Sequence, residues 1–89
     1  MKIGALVVCL NEWRYMAAVL GQLAEVADRV LVLRCTRAFS GAPVEVLPAP
    51  ALPLGVELAM GTWPSEAAAR NAGLGLLDDC AYSFVVDSD

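Results

Sequence analysis

The fold is decided by an apolar run near the start of the chain, IGALVVC at residues 3–9. Seven consecutive uncharged residues, with two adjacent valines near the end, predict a strand that is buried on both faces. Strands of this kind belong to parallel sheets whose two faces are covered by helices. We therefore expect an α/β protein with this strand inside its sheet.

A helix and a second strand are predicted directly after this run. Asn11 suits the N-cap of a helix, and Glu12 is favourably placed against the helix dipole. Apolar residues then recur at helical spacing at Met16, Leu20, Leu23 and Ala27, with Val19 and Val26 beside them. Residues 29–35, RVLVLRC, predict a second buried strand. A strand, a helix and a strand in this order form a βαβ unit with parallel strands.

The middle of the chain is less regular. Residues 44–47, VEVL, alternate like a short third strand that is less buried. Prolines in residues 48–53 predict an irregular connection. Residues 56–60, VELAM, fit either a helical turn or an extended segment, so their conformation stays open.

A second helix and a last strand complete the pattern. Pro64 suits the first position of the helix, with Glu66 in its first turn, and the pattern continues to residue 79. We expect small residues to let this helix pack close to the sheet, on a face made of Ala68, Ala72, Gly75 and Leu76. Residues 82–89, YSFVVDSD, predict the last strand.

These elements predict one domain over residues 1–89, a Rossmann-like α/β half-domain. We expect about four mostly parallel strands in the order 3-2-1-4, with two to three helices. The last strand then lies at an edge of the sheet, where unpaired backbone groups favour association. The composition, 58% hydrophobic in 89 residues, is also more apolar than a free-standing domain of this size needs. We therefore expect a homo-oligomer or a missing C-terminal domain.

Composition excludes several functional classes. A net charge of −4 without a basic patch argues against nucleic-acid binding, and the lack of histidine excludes histidine-based catalysis. Three cysteines without CxxC spacing indicate buried, reduced thiols in a cytoplasmic protein rather than a disulfide framework or a zinc site. No run is long enough to span a membrane, and neither a P-loop nor a Rossmann glycine fingerprint is present.

Candidate binding residues lie at or near the ends of the predicted strands, which is where open α/β sheets bind ligands. They are Leu10, Asn11 and Glu12 after the first strand, Arg34 at the end of the second, Arg70 on the second helix, and Asp87 and Asp89 in the last strand. Carboxylate oxygens suit Mg²⁺ or Mn²⁺, and arginine neutralises a diphosphate with its planar fork. The sequence therefore predicts a metal–diphosphate site.

The segments ALVVCLNE, ADRVLVL, EAAARNAGL and FVVDSD, in this order, resemble the N-terminal, donor-binding half of GT-A-type glycosyltransferases, most closely the inverting family 2 group. The resemblance covers essentially the whole chain, and ARNAGL followed by an apolar strand and DSD is its most specific part. It implies binding of a nucleotide-diphospho-sugar with Mg²⁺ or Mn²⁺. Leu10, Asn11 and Glu12 would line the base pocket, and Arg70 would approach the diphosphate. Asp87 and Asp89 would serve the metal and the donor, with Asp89 as the more direct metal ligand.

The chain departs from this family in two ways. Family members carry aspartate after the second strand, in a VDDGSTD-like stretch, whereas LRCTR at residues 33–37 has no carboxylate. The acceptor-binding half and its catalytic base are absent from these 89 residues, so we expect the isolated chain to be inactive in glycosyl transfer. Two alternatives stay open: a non-catalytic α/β binding or assembly module, and a nucleotidyltransferase-like domain. The latter usually has a GxGxR-type loop where this chain has VVCLNEW.

Overall fold

The computed structural model describes residues 2–10, 16–39, 52–53 and 55–87. Within these residues the chain forms four strands and two helices: β1 (Ile3–Cys9), α1 (Met16–Val26), β2 (Arg29–Cys35), β3 (Val56–Gly61), α2 (Glu66–Leu76) and β4 (Tyr82–Asp87). All neighbouring strands are parallel, in the order β3-β2-β1-β4. The predicted fold class, strand order and edge position of the last strand are confirmed.

The strand that pairs with β2 is β3, the segment whose conformation the sequence left open. Its register runs from Val56 opposite Val30 to Gly61 opposite Cys35. Gly55 precedes it with a φ of 88°, a backbone conformation that glycine adopts without strain, and so turns the chain into the strand. The strand predicted at residues 44–47 lies outside the described residues.

The sheet has a core on each face, as the uninterrupted apolar strands predicted. One cluster joins α1 to the sheet and contains Ala5, Val7, Cys9, Met16, Leu20, Leu23, Val30 and Val32. The other lies under α2 and contains Leu6, Leu31, Leu33, Cys35, Ala69 and Leu77. Adjacent residues of β1 therefore enter opposite cores, which is the alternation that a pleated strand imposes.

Helix α1 confirms the predicted buried positions Met16, Leu20 and Leu23. Val19 and Ala27 pack against the same cluster. Val26, in contrast, is 66% exposed, because it is the last residue of the helix and lies off the sheet-facing stripe. The proposed N-cap, Asn11, lies outside the described residues.

The ends of α2 differ from the prediction. Ser65 is the N-cap, and its hydroxyl accepts the Ala68 N–H at 3.1 Å. Pro64 therefore precedes the cap and is not the first helical residue, while Glu66 lies in the first turn as expected. The helix also ends before residue 79, because the N–H of Leu77 turns back to the Leu74 carbonyl at 3.1 Å.

The sheet-facing side of α2 is a small-residue face, but one position along from the predicted one. Ala69 and Gly73 are buried, whereas Gly75 has no atom within 4 Å of where its side chain would start. A Cβ on Gly73 would lie 2.6 Å from both methyl groups of Leu6. The close approach of α2 to β1 therefore depends on the absence of a side chain at Gly73.

A charged network that the sequence analysis missed joins the amino ends of the strands. Arg29 donates two hydrogen bonds to the Glu57 carboxylate, at 2.9 Å from Nε and 2.7 Å from Nη2. Its Nη1 donates to Asp79 and to the Leu76 carbonyl, and Lys2 Nζ donates to Asp79 at 2.6 Å. The network thus links β2 and β3 to the turn that leads from α2 into β4.

This network predicts a loss of stability in acid. Hydrogen bonds from Lys2 and Arg29 lower the pKa of Asp79 to about 2, and a hydrogen bond from Arg29 lowers the pKa of Glu57. A carboxyl whose pKa is lower in the folded state stabilises the fold above its unfolded pKa, about 3.9 for aspartate. We expect the free energy of unfolding to fall as the pH drops from about 4 toward about 2.

Urea unfolding at a series of pH values, with Asp79→Asn as the variant, tests this prediction. The variant should be less stable at neutral pH and should lose less stability below about pH 4. Asp78→Asn is the matched control, because Asp78 is exposed and forms no ion pair within the described part of the chain. An unchanged acid dependence in Asp79→Asn would contradict the prediction.

Candidate functional site

The carboxyl ends of all four strands lie at one edge of the sheet, because every pair is parallel. Asp87 pairs with Val8, two residues before Leu10, so the ends of β4 and β1 are adjacent. Arg34 pairs with Cys9 of β1 and with Met60 of β3. The structure thus brings Leu10, Arg34 and the backbone of Asp87 to the ends of three neighbouring strands.

Arg34 is buried, with only 2% of its surface exposed. It follows Val30 and Val32 on the α1 face of β2, since alternate residues of a strand share a face. A buried guanidinium keeps its charge, and so requires polar or charged contacts in the fold. Arg34 therefore supplies a positive charge at a fixed position close to the strand ends.

Arg70 belongs to α2, which covers the opposite face of the sheet. Its Nη2 donates to Glu66 Oε1 at 2.7 Å, one turn earlier in the helix, and 42% of its side chain is exposed. Such a pair stabilises a helix by only about 0.3–0.5 kcal/mol. The two predicted arginines thus belong to elements on opposite faces of the sheet, Arg34 to the α1 face of β2 and Arg70 to α2.

Thr36 and Thr62 extend the site beyond the predicted residues. The Thr36 N–H donates to the Gly61 carbonyl at 2.9 Å, and Thr36 Oγ1 lies 3.2 Å from the same oxygen. Thr36 Oγ1 and Thr62 Oγ1 are 2.7 Å apart. Trp63 follows and packs against the core cluster under α2. Recognising Thr62 from sequence would have required β3 to be assigned, because only that strand brings it next to Thr36.

Three predicted site residues, Asn11, Glu12 and Asp89, lie outside the described residues, and Asp87 is described by its backbone. Carboxylates at the end of an apolar strand have the oxygen chemistry that Mg²⁺ and Mn²⁺ prefer. The position of β4 is compatible with such a cation, because the end of β4 lies beside that of β1, where ligands of open α/β sheets bind. Within the described residues no group of three or more His, Cys, Asp or Glu side chains could hold a metal ion, so the metal site stays a prediction.

Comparison of the chain with models of protein families, with characterised proteins and with solved structures finds no match. Neither described helix is long and apolar enough to cross a membrane.

Proposed function

We propose that this chain is the donor-binding part of a metal-dependent GT-A-type glycosyltransferase, with a nucleotide-diphospho-sugar and Mg²⁺ or Mn²⁺ at the carboxyl edge of its sheet. The observation that carries the proposal is the parallel order β3-β2-β1-β4, in which the strand of Asp87 lies directly beside the strand that leads to Leu10. The FVVDSD and ALVVCLNE segments are far apart in sequence, and this order supports a shared ligand.

Each residue has a definite role in this proposal. Asp87 and Asp89 hold the cation, and Arg34 and Arg70 offset the charge of the diphosphate from the two faces of the sheet. Leu10, Asn11 and Glu12 line the pocket of the base. When bound, the cation supplies Lewis-acid stabilisation of the leaving diphosphate. The chain itself binds and orients the donor, while the acceptor and the base that activates it belong to a part of the enzyme beyond these residues.

Calorimetric titration with Mn²⁺ and UDP, and then with Mn²⁺ and GDP, tests the proposal. The wild-type chain should bind one of the two nucleotides only when the cation is present. Asp87→Ala should weaken this binding by about 100-fold or more, since even the loss of an outer-shell partner costs about 10–100-fold in metal affinity. Circular dichroism of the variant checks that the fold is retained.

Asp78→Ala is the matched control, because it removes an exposed carboxylate from the turn between α2 and β4, at the amino ends of the strands. It should bind nucleotide and metal like the wild type. If Asp78→Ala weakened binding as much as Asp87→Ala, the loss would reflect total negative charge rather than a site at Asp87. The proposed role of Asp87 would then be wrong.

A second candidate function is assembly without catalysis. It is favoured by β4, an edge strand with exposed apolar side chains: Tyr82 is 66%, Phe84 39% and Val85 36% exposed. Edge strands that present apolar residues associate readily. Failure of the wild-type chain to bind either nucleotide, together with a mass above that of the monomer by light scattering, would favour this function over donor binding.

A further inference from the structure

The hydroxyls of Thr36 and Thr62 form a short hydrogen-bonded chain that ends on a backbone carbonyl. Thr36 Oγ1 lies 3.2 Å from the Gly61 oxygen and 2.7 Å from Thr62 Oγ1. Either hydroxyl can be the donor in the 2.7 Å contact taken alone, but a carbonyl oxygen only accepts, so both hydrogen bonds form together only when Thr36 donates its single proton to Gly61. Thr62 must then donate its own proton to Thr36.

This order of donation determines what the pair can bind. With both hydroxyl protons used inside the chain, Thr62 Oγ1 retains only its acceptor lone pairs for an outside partner. Thr62 is exposed, and no other described residue forms a hydrogen bond with its hydroxyl. The pair therefore presents an uncharged acceptor at the carboxyl edge, and its natural partner is an N–H or O–H donor.

The pair is also held in place. Thr36 bonds to Gly61 through both its N–H and its hydroxyl, which ties the end of β2 to the end of β3. A Cβ on Gly61 would lie 2.7 Å from the Trp63 ring, so glycine allows the indole to fold back over the end of β3. The half-buried Trp63 then restrains the chain directly after Thr62. A preorganised acceptor loses little entropy when a ligand binds.

The distance from this pair to β4 suits a nucleoside diphosphate. Thr62 follows β3 and Asp87 ends β4, three strand spacings or roughly 14 Å across the sheet. The register also puts Thr62 three residues, roughly 10 Å, further along the strands, so the two positions are roughly 17 Å apart. A nucleotide with its diphosphate at Asp87 can extend its base across the strand ends to this pair. LRCTR at the end of β2 has no carboxylate to accept a hydrogen bond from that base.

We propose that Thr62, oriented by Thr36, accepts a hydrogen bond from the ring N–H of the donor's nucleobase. This inference rests on the proposed function and names the base class: uracil and guanine carry that N–H, whereas cytosine and adenine present an acceptor nitrogen at the corresponding ring position. We therefore expect UDP or GDP to bind more tightly than CDP. The pair is a specificity determinant and takes no part in bond breaking.

Titration of UDP in the presence of Mn²⁺ into Thr62→Val and Thr62→Ser tests the inference. Thr62→Val keeps the shape of the side chain and removes the acceptor, so UDP binding should weaken about 10-fold, the effect of leaving one buried donor unsatisfied. Thr62→Ser keeps the hydroxyl and should bind like the wild type. N3-methyl-UDP lacks the ring donor and should bind about 10-fold more weakly to the wild type, with no further loss in Thr62→Val.

The other outcomes separate this inference from the proposed function. If UDP binds with dependence on Asp87 but Thr62→Val has no effect, the pair only clamps β2 to β3, and this inference alone is wrong. If the loss in Thr62→Val disappears with 2′-deoxy-UDP instead of N3-methyl-UDP, the partner is a ribose hydroxyl, and the ring assignment is overturned. If GDP binds and UDP does not, N1-methyl-GDP replaces N3-methyl-UDP in the same comparison. Absence of all nucleotide binding by the wild type overturns both proposals.

Discussion

Replacing Leu6 by alanine is expected to lower the free energy of unfolding by about 2–5 kcal/mol. Leu6 is fully buried in β1, which pairs with strands on both sides, and its methyl groups pack against α2 at Gly73. Removing the side chain loses its transfer free energy and leaves a cavity, because a strand held on both sides cannot move in to fill it. An 89-residue domain has a total stability of only about 4–13 kcal/mol.

Urea unfolding followed by circular dichroism measures this change. Leu76→Ala is the matched control, because it deletes the same atoms from a side chain of α2 that is 51% exposed. Its effect should stay within about 0.5 kcal/mol. Equal losses in the two variants would mean that the β1–α2 contact is not part of the stabilising core.

Replacing Gly73 by alanine should destabilise the protein by about 1–3 kcal/mol, although alanine is the better helix former. The new Cβ would lie 2.6 Å from both Leu6 methyl groups and 3.2 Å from Leu6 Cγ. The side chain of Leu6 is fully enclosed, so it can give way only by displacing its own neighbours or by pushing α2 off the sheet. The strain should exceed the gain of about 1 kcal/mol in helix propensity.

Gly75→Ala provides the control in the same helix, because nothing lies within 4 Å of its Cβ position. It should stabilise the protein by about 0.5–1 kcal/mol, since only the backbone entropy of glycine changes. The two substitutions are chemically identical and are expected to have opposite signs in thermal or urea unfolding. Stabilisation by both would contradict the close packing of α2 on β1.

The interior of the fold was predictable because burial on both faces leaves a strong signal. β1 and β2 are apolar runs, and a strand between two helical layers requires such a run. β4 is also an apolar run, although it is an edge strand with exposed apolar side chains. β3 lies at an edge and carries Glu57, with Leu58 and Met60 partly exposed, so its pattern fits a helical turn as well as a strand. Its assignment needed the pairing with β2, which is a tertiary interaction.

The prediction of which side of α2 faces the sheet was wrong by one residue, for a related reason. Alanines at 67, 68, 69 and 72 give several sides of this helix similar small residues, and hydrophobic periodicity cannot choose among them. The contact with Leu6 makes the choice, through Gly73 and Leu77. The candidate site was predictable only in part for the same reason. The strand ends were recognisable from the sequence, but the placement of Arg34 and Arg70 on opposite faces of the sheet depends on tertiary packing.

The position of β1 between β2 and β4 has a consequence for how the protein folds. Val30 pairs with Ala5 after a short helical crossover, whereas Tyr82 pairs with Ile3 across almost the whole chain. Closing that long loop costs more entropy than closing the first one, and contacts distant in sequence slow the search for the native state. We expect β1, α1 and β2 to collapse first and β4 to join last. During synthesis, the side of β1 that pairs with β4 therefore keeps unpaired backbone N–H and C=O groups until residues 82–87 have left the ribosome.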